Sequence, residues 1–359
     1  MSQRMIEQFM QMVRIDSESG NEARFLEWLM GELRSMGATA DLDSYGNLIA
    51  SFPPLGSAAT EPILLSCHAD TVRPGVGIEP RLGEDGIIRS GGDTILGADD
   101  KAGIAEVLEA LRTATVRPPI EFAVSRQEEV GLLGVKQLDF ARLQAKRGFL
   151  MDNDTLDTII IGGPTYITLD VAVTGRSAHA GMEPEKGINA IRAAAKAIAA
   201  LRLGRLDHQT TANVGVIQGG MIRNGVPASC TFLAECRSAD HPTAAALAEE
   251  MVGVIRREVE AAGATVEIVV DEKCRACVIP EEAWTVQISK QALAAVGIEA
   301  KAVFMTGFTD ASIYNNHGIE MAVVGIGAQD EHSTTEHIAV ADMEKAVRML
   351  HEIFRLTAG

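Results

Sequence analysis

Four clusters of residues carry side chains that can do chemistry. They are His68-Ala-Asp70, Gly97-Ala-Asp-Asp-Lys-Ala-Gly103, Arg126-Gln-Glu-Glu-Val-Gly131 and His332-Ser-Thr-Thr-Glu-His337, with Asp152-Asn-Asp154 as a fifth candidate. Imidazole nitrogen and carboxylate oxygen are the donors of divalent metal sites. A ligating histidine needs an acceptor for its second nitrogen, and Asp70, two residues beyond His68 on an extended chain, can supply one. Glu128 and Glu129 are neighbours, so in extended chain they point apart. One can bind metal while the other handles protons. Each fragment alone also fits a bland role. His68 with Asp70 makes an ordinary polar pair, Asp99-Asp100 a helix cap, and the Glu pair a solvated turn. Their ordered combination is what points to a site.

Those clusters must be brought together by the elements that carry them. Helical spacing runs from Met1 to Met36, broken by 16–20. Apolar runs at 62–68, 120–125 and 148–151 read as strands, each ending near one of the clusters, and 102–114 reads as a helix. Ligands gather beyond the carboxyl ends of strands in open α/β sheets. Strands alternating with helices predict an α/β domain built on a largely parallel sheet.

The texture changes after Gly162-Gly-Pro164. Strands are expected at 165–174, 211–217, 228–237 and 265–270, with helices at 185–203 and 242–262. This β-α-β-β-α-β order is that of a ferredoxin-like insert. The first texture then resumes, with a helix at 284–295, a strand at 320–326 and a closing helix at 341–356. The expected division is 1–163 and 274–359 for one domain and 164–273 for the insert.

With these motifs in hand, the chain resembles the M20 metallopeptidases, and among them the peptidase T-like members. The resemblance rests on HAD at His68, GADDKAG at 97–103, EEVG at 128–131, GRSAHAG at 175–181 and HSTTEH at 332–337. It implies a zinc-peptidase-like α/β/α catalytic domain interrupted by an α+β, ferredoxin-like lid. It also implies two divalent metal ions, zinc first, with cobalt or manganese as alternatives. Asp99 would bridge them. His68 and Asp152 would complete one site, and Glu129 and His332 the other. Glu128 would be the general base and Asp70 would orient His68. Asp100 would support the site, and His337 is a weaker ligand candidate than His332. In the lid, His179 and Asn213 are substrate-facing candidates. Asn224, Arg237 and Asp310 resemble substrate-pocket positions. An arginine fork suits a peptide carboxylate, while Asn224 also fits a turn and Asp310 a helix cap.

The implied activity is hydrolysis of short peptides from the amino end, in the sense of an aminopeptidase or tripeptidase, by a metal-bridging water. An M20-type amidohydrolase acting on N-acyl amino acids and a catalytically silent metal-dependent binding protein are the alternatives. The exposed sheet edge or helices of such a lid would suit a homodimer.

Composition narrows the partners. The 359 residues carry 32 Lys and Arg against 49 Asp and Glu, a net charge of −17, so neither nucleic acid nor an anionic membrane is the expected partner. Aromatics are only 4%, leaving Leu, Val, Ile, Ala and Met to fill the cores. Five cysteines form no disulfide framework, and Cys274-Arg-Ala-Cys277 is a lone pair read as structural free thiols. No apolar run is long enough to span a membrane and no leader pattern opens the chain, so a cytoplasmic protein is expected.

Overall fold

The computed structural model of the chain describes residues 3–359. Helices α1 (Gln3–Val13) and α2 (Ala23–Ser35) come first. Met5, Phe9 and Met12 of α1, and Phe25, Leu29 and Leu33 of α2, fall at helical steps and are fully buried. Next come β1 (Thr39–Leu42) and β2 (Leu48–Phe52). Their turn is organised by Asp43, whose Oδ1 accepts the amides of Tyr45, Gly46 and Asn47. The chain continues through β3 (Ile63–His68), β4 (Pro80–Leu82), β5 (Ile87–Ser90), α3 (Ala98–Thr113), β6 (Ile120–Ser125), the single turn α4 (Leu133–Lys136), β7 (Arg147–Asn153) and β8 (Thr158–Gly163).

The middle of the chain supplies β9 (Thr165–Thr174), α5 (Ala190–Ala200), β10 (Gly204–Arg205), β11 (Thr210–Gly219), β12 (Ser229–Ser238), α6 (His241–Ala261) and β13 (Thr265–Cys274). The last part holds β14 (Cys277–Val278), α7 (Trp284–Ala295), β15 (Lys301–Phe304), α8 (Ala311–Asn316), β16 (Glu320–Gly325), β17 (Ala328–Gln329), β18 (His337–Ala339) and α9 (Val340–Thr357).

The chain divides into two compact units, Met1–Gly163 with Val278–Gly359, and Pro164–Cys277. Each has its own apolar core. The first is built on a nine-stranded sheet in the order β1-β2-β6-β3-β7-β16-β8-β14, with β15 beside β8. Its centre, β6-β3-β7-β16, is parallel. The flanks are mixed: β1, β2 and the β16–β8 pair are antiparallel, whereas β15 runs parallel to β8. Every residue of β3 and β6 is buried, as expected of strands covered on both faces. Helix α3 is buried through 14 of its residues, from Ala98 to Leu111. Small residues permit that: a Cβ on Gly103 would lie 2.8 Å from the Met151 carbonyl oxygen. A four-stranded sheet, β17-β18-β5-β4, has no counterpart among the expected elements. Its strands are only two to four residues long, too short to show a period.

In the second unit α5 and α6 pack on one face of an antiparallel sheet ordered β10-β11-β12-β9-β13. Strand β12 alternates between buried Cys230, Phe232, Ala234 and Cys236 and outward Thr231, Leu233, Glu235 and Arg237. Helix α5 begins at Ala190, five residues later than the periodicity predicts, because Asn189 caps it by accepting the Arg192 amide at 2.8 Å. Among the described residues, no helix is long and apolar enough to cross a membrane.

Candidate metal centre

The sheet places the candidate ligands at the carboxyl ends of its parallel strands. His68 is the last residue of β3, Asp152 lies near the end of β7, and Glu128 and Glu129 follow β6. Asp99 is held at the start of α3, and His332 sits in the loop between β17 and β18. His332 occupies the left-handed region at φ 60, unusual for a residue other than glycine.

Their side chains converge. Asp99 Oδ1 lies 2.9 Å from His68 Nε2, and its Oδ2 lies 3.2 Å from His332 Nε2. Asp152 Oδ1 is 3.6 Å from His68 Nε2. Glu129 Oε2 is 3.0 Å from His332 Nε2. Donor atoms of Asp99, Glu129 and His332 fall within 4.8 Å of one another, as do those of His68, Asp100 and Asp152, and of His68, Glu128 and Glu129. The three groups overlap, so all seven residues form one continuous cluster.

The surrounding bonds fix this arrangement. Asp70 Oδ1 is 3.6 Å from His68 Nδ1 and accepts the Glu128 amide at 2.9 Å, while its Oδ2 accepts the Glu129 amide at 3.2 Å. Asp100 Oδ2 accepts the His68 amide at 3.0 Å. Glu336 lies inside the His332–His337 motif, where nothing local marks what it does. Its carboxylate accepts the amides of Leu96 and Gly97 at 2.7 Å and of Asp99 at 3.0 Å, tying the His332 loop to the Asp99 loop. That link joins residues nearly 240 positions apart and has no local signature. His337 is turned to the Thr335 carbonyl, with Nδ1 at 3.0 Å, and belongs to β18.

The electrostatics show what the cluster lacks. Burial alone would raise Asp99, but the His68 and His332 rings hold it below the usual carboxylate range. Burial raises Asp152, and it pushes Glu129 up to about 7. Hydrogen bonds that its ring donates to the Asp99 and Glu129 carboxylates lift His332 to about 11. Burial, together with the charges of Asp152, Asp310 and Glu129, raises Glu128 well above its ordinary value. No lysine or arginine is ion-paired with these carboxylates among the described residues. Buried acids with imidazoles as their only cationic neighbours are a donor set that fits divalent metal ions.

Asp310, expected at a substrate pocket, is fully buried in the first unit. Its Oδ2 takes the Ser125 hydroxyl, and it makes no capping bond to α8. Helix α8 and its preceding loop pack it inward, a tertiary effect invisible in the sequence around it.

The other four substrate candidates lie in the second unit. His179 Nδ1 accepts the amides of Gly181 at 3.2 Å and Met182 at 3.1 Å, so its Nε2 carries the ring hydrogen. His179 and Asn224 line a cavity of about 410 Å³ with Met221, Ile222 and Val226. Asn213 lines a second cavity of about 330 Å³ with Tyr166, Glu235 and Lys273. The Arg237 guanidinium lies 4.3 Å from the Tyr166 ring centre and 3.0 Å from Glu235. None of the five cysteines is in a disulfide; Cys274 is buried and directs its thiol to the Pro164 carbonyl.

Comparison with known proteins agrees with this geometry. Residues 162–262 match the family model described as the peptidase dimerisation domain of the M20 group. The YqjE protein of Bacillus subtilis is 33% identical, over 99% of this chain and 98% of its own. The solved aminopeptidase PepT of Bacillus cereus is 33% identical, with a TM-score of 0.89 over 99% of this chain and 98% of that one. The chain belongs to the M20 peptidase family. A tripeptidase of Staphylococcus aureus is 32% identical, with a TM-score of 0.93 and the same coverage of both chains. Peptidase T-like M20 proteins are thus similar to it over its whole length.

Proposed function

We propose that this M20 protein is a dinuclear metal-dependent exopeptidase that cleaves short peptides from the amino end. The observation that carries this reading is Asp99, a single buried carboxylate that gives one oxygen to His68 and the other to His332. His68, Asp152 and Asp99 would hold one ion, and Asp99, Glu129 and His332 the other. We assign zinc, whose ligands are of these types, with cobalt and manganese able to use the same donors. Bound there, the pair would polarise the scissile carbonyl and acidify a water.

The protein's own part is positioning and proton transfer. Glu128 is in the cluster but is left over once those two ligand sets are assigned. Its raised pKa makes it a base that can accept a proton from the attacking water and return it to the leaving amine nitrogen. Asp70 faces the His68 ring, its Oδ1 3.6 Å from Nδ1, and accepts the Glu128 amide with the same oxygen, so it would orient His68 while it positions Glu128.

We read the second unit as a ferredoxin-like lid that also carries the dimer contact. Its His179 would donate from Nε2 to the substrate, with Asn224 in the same cavity, and Arg237 would receive a peptide carboxylate, with Asn213 in the separate cavity beside Tyr166 and Glu235. Five cysteines with no disulfide among them fit a cytoplasmic enzyme. The similarity to an aminopeptidase and a tripeptidase supports the choice of short peptides.

A panel of di-, tri- and N-acylated peptides, with zinc, cobalt or manganese restored, tests this reading by product mass. Release of the amino-terminal residue from free di- or tripeptides is expected. Cleavage confined to acylated substrates would make the protein an amidohydrolase, and no cleavage with any metal would leave a binding protein.

A further inference from the structure

Residues 16–20 read as a helix break, and the linker between α1 and α2 runs on through Asn21 and Glu22. Their contacts give them a second significance. Ser19 donates its hydroxyl to Asp70 Oδ2 at 2.7 Å. That oxygen also accepts the Glu129 amide, and the other carboxylate oxygen accepts the Glu128 amide. The segment is seated beside Asp70 by its backbone: the Ser19 amide donates to the Thr71 carbonyl at 3.3 Å and the Thr71 amide to the Ser17 carbonyl at 3.1 Å.

Three residues on, Glu22 is fully buried and grips the other end of the same loop. Its Oε2 accepts from Arg126 Nε at 3.0 Å and Nη2 at 2.8 Å, and its Oε1 accepts the Gly20 amide at 2.7 Å. The Arg126 guanidinium also donates to the Tyr45 carbonyl, and the Arg126 amide is held by Asn47 Oδ1 at 3.1 Å. Between the two grips, Gln127 adopts φ 53 and its side chain accepts the Tyr45 hydroxyl at 2.6 Å. The loop 126–129 is therefore fastened on both sides of Gln127.

We propose that Ser19 and Glu22 are positioning residues that aim the Glu128 carboxylate, Ser19 through Asp70 and Glu22 through Arg126. The charge-assisted Ser19 bond fixes which way the Asp70 carboxylate faces, and so where the amides of Glu128 and Glu129 lie. Arg126 is the residue from which the loop leaves β6, so its anchoring sets the loop's starting direction. Neither residue touches a reacting atom. The inference rests on Glu128 being the base.

The test is Ser19→Ala beside Ser19→Thr, which restores the hydroxyl, and Glu22→Gln. Two readings are taken: steady-state kinetics on a tripeptide with metal restored, and amide hydrogen exchange of the metal-free protein over residues 126–131. Loss of such a supporting bond is expected to lower kcat by roughly 10- to 100-fold, with KM within about threefold. Exchange at 126–131 should quicken in both Ser19→Ala and Glu22→Gln, with metal content near wild type. The melting temperature should stay near wild type in Ser19→Ala. Glu22→Gln neutralises the buried partner of Arg126, so it should melt lower, with exchange outside 126–131 unchanged. Ser19→Thr should recover both readings. Unchanged exchange in Ser19→Ala, or a kcat loss fully matched by lost metal or lost fold, would overturn the proposal. Because exchange needs no activity, the inference is still tested if the wild-type chain cleaves no peptide.

Discussion

Metal loading should expel protons, and the amount can be worked from the cluster. In the metal-free protein His332 is held at about 11 by Asp99 and Glu129, while burial sets Glu129 at about 7. At pH 7 the ring is therefore protonated and Glu129 is about half protonated. Both must lose their protons to become ligands. Filling this half of the centre should release between about one and two protons at pH 7, and the raised Asp152 in the other half can only add to the count. The sign follows: the metal-free state binds more protons, so affinity rises with pH. Between pH 6 and 8 the logarithm of the affinity should climb by about one to two per pH unit for that half. Calorimetric titration with zinc in buffers of different ionisation enthalpy measures the release directly. A release near zero, or affinity independent of pH over that range, would refute the assignment of His332 and Glu129 as ligands.

Further outcomes follow from the same contacts. Glu128→Gln should lower kcat by about 10²- to 10⁴-fold with both ions still bound, as read by kinetics beside metal analysis; near-normal kcat would remove Glu128 as the base. Glu336→Gln loses the charge that gathers the amides of Leu96, Gly97 and Asp99, and metal affinity should fall by about 10- to 100-fold in a competition titration. Lys101 is fully buried, and burial lowers its amine to about 7. Between that value and its unfolded one the unfolded chain holds the extra proton, so rising pH favours the fold. Compared with Lys101→Met, wild-type stability should gain up to about 1.4 kcal/mol per pH unit above pH 7; parallel denaturation curves from pH 7 to 10 would contradict this.

Much of the candidate site was legible because its candidate ligands sit where apolar runs stop. The strands 62–68 and 120–125 show in the sequence as short apolar blocks, and the residues at or just beyond their ends, His68, Glu128 and Glu129, are the ones the sheet gathers. Asp152, near the end of β7, belongs to the same pattern. The insert was legible for a different reason. Its strand β12 alternates inward and outward side chains, a period of two that survives without any neighbour information. What could not be read is what depends on distant partners. Glu336 looks like any acid in a polar loop until the amides of residues 96–99 are folded against it. Asp310 shows no sign in its own neighbourhood of the Ser125 hydroxyl that it accepts, a bond that depends on how α8 and the loop before it pack. Ser19 and Glu22 look like punctuation between helices, and only Asp70 and Arg126 give them purpose.

The claim on which the rest depends is that Asp99 serves two ions at once. Metal stoichiometry of wild type and Asp99→Asn, measured on folded protein after loading with excess zinc and desalting, tests it most directly. The expected result is two ions per wild-type chain and no more than one per Asp99→Asn chain, since the amide keeps a single oxygen, which can serve one half-site but not both. Two ions retained in Asp99→Asn, or a single ion in wild type, would contradict a shared carboxylate.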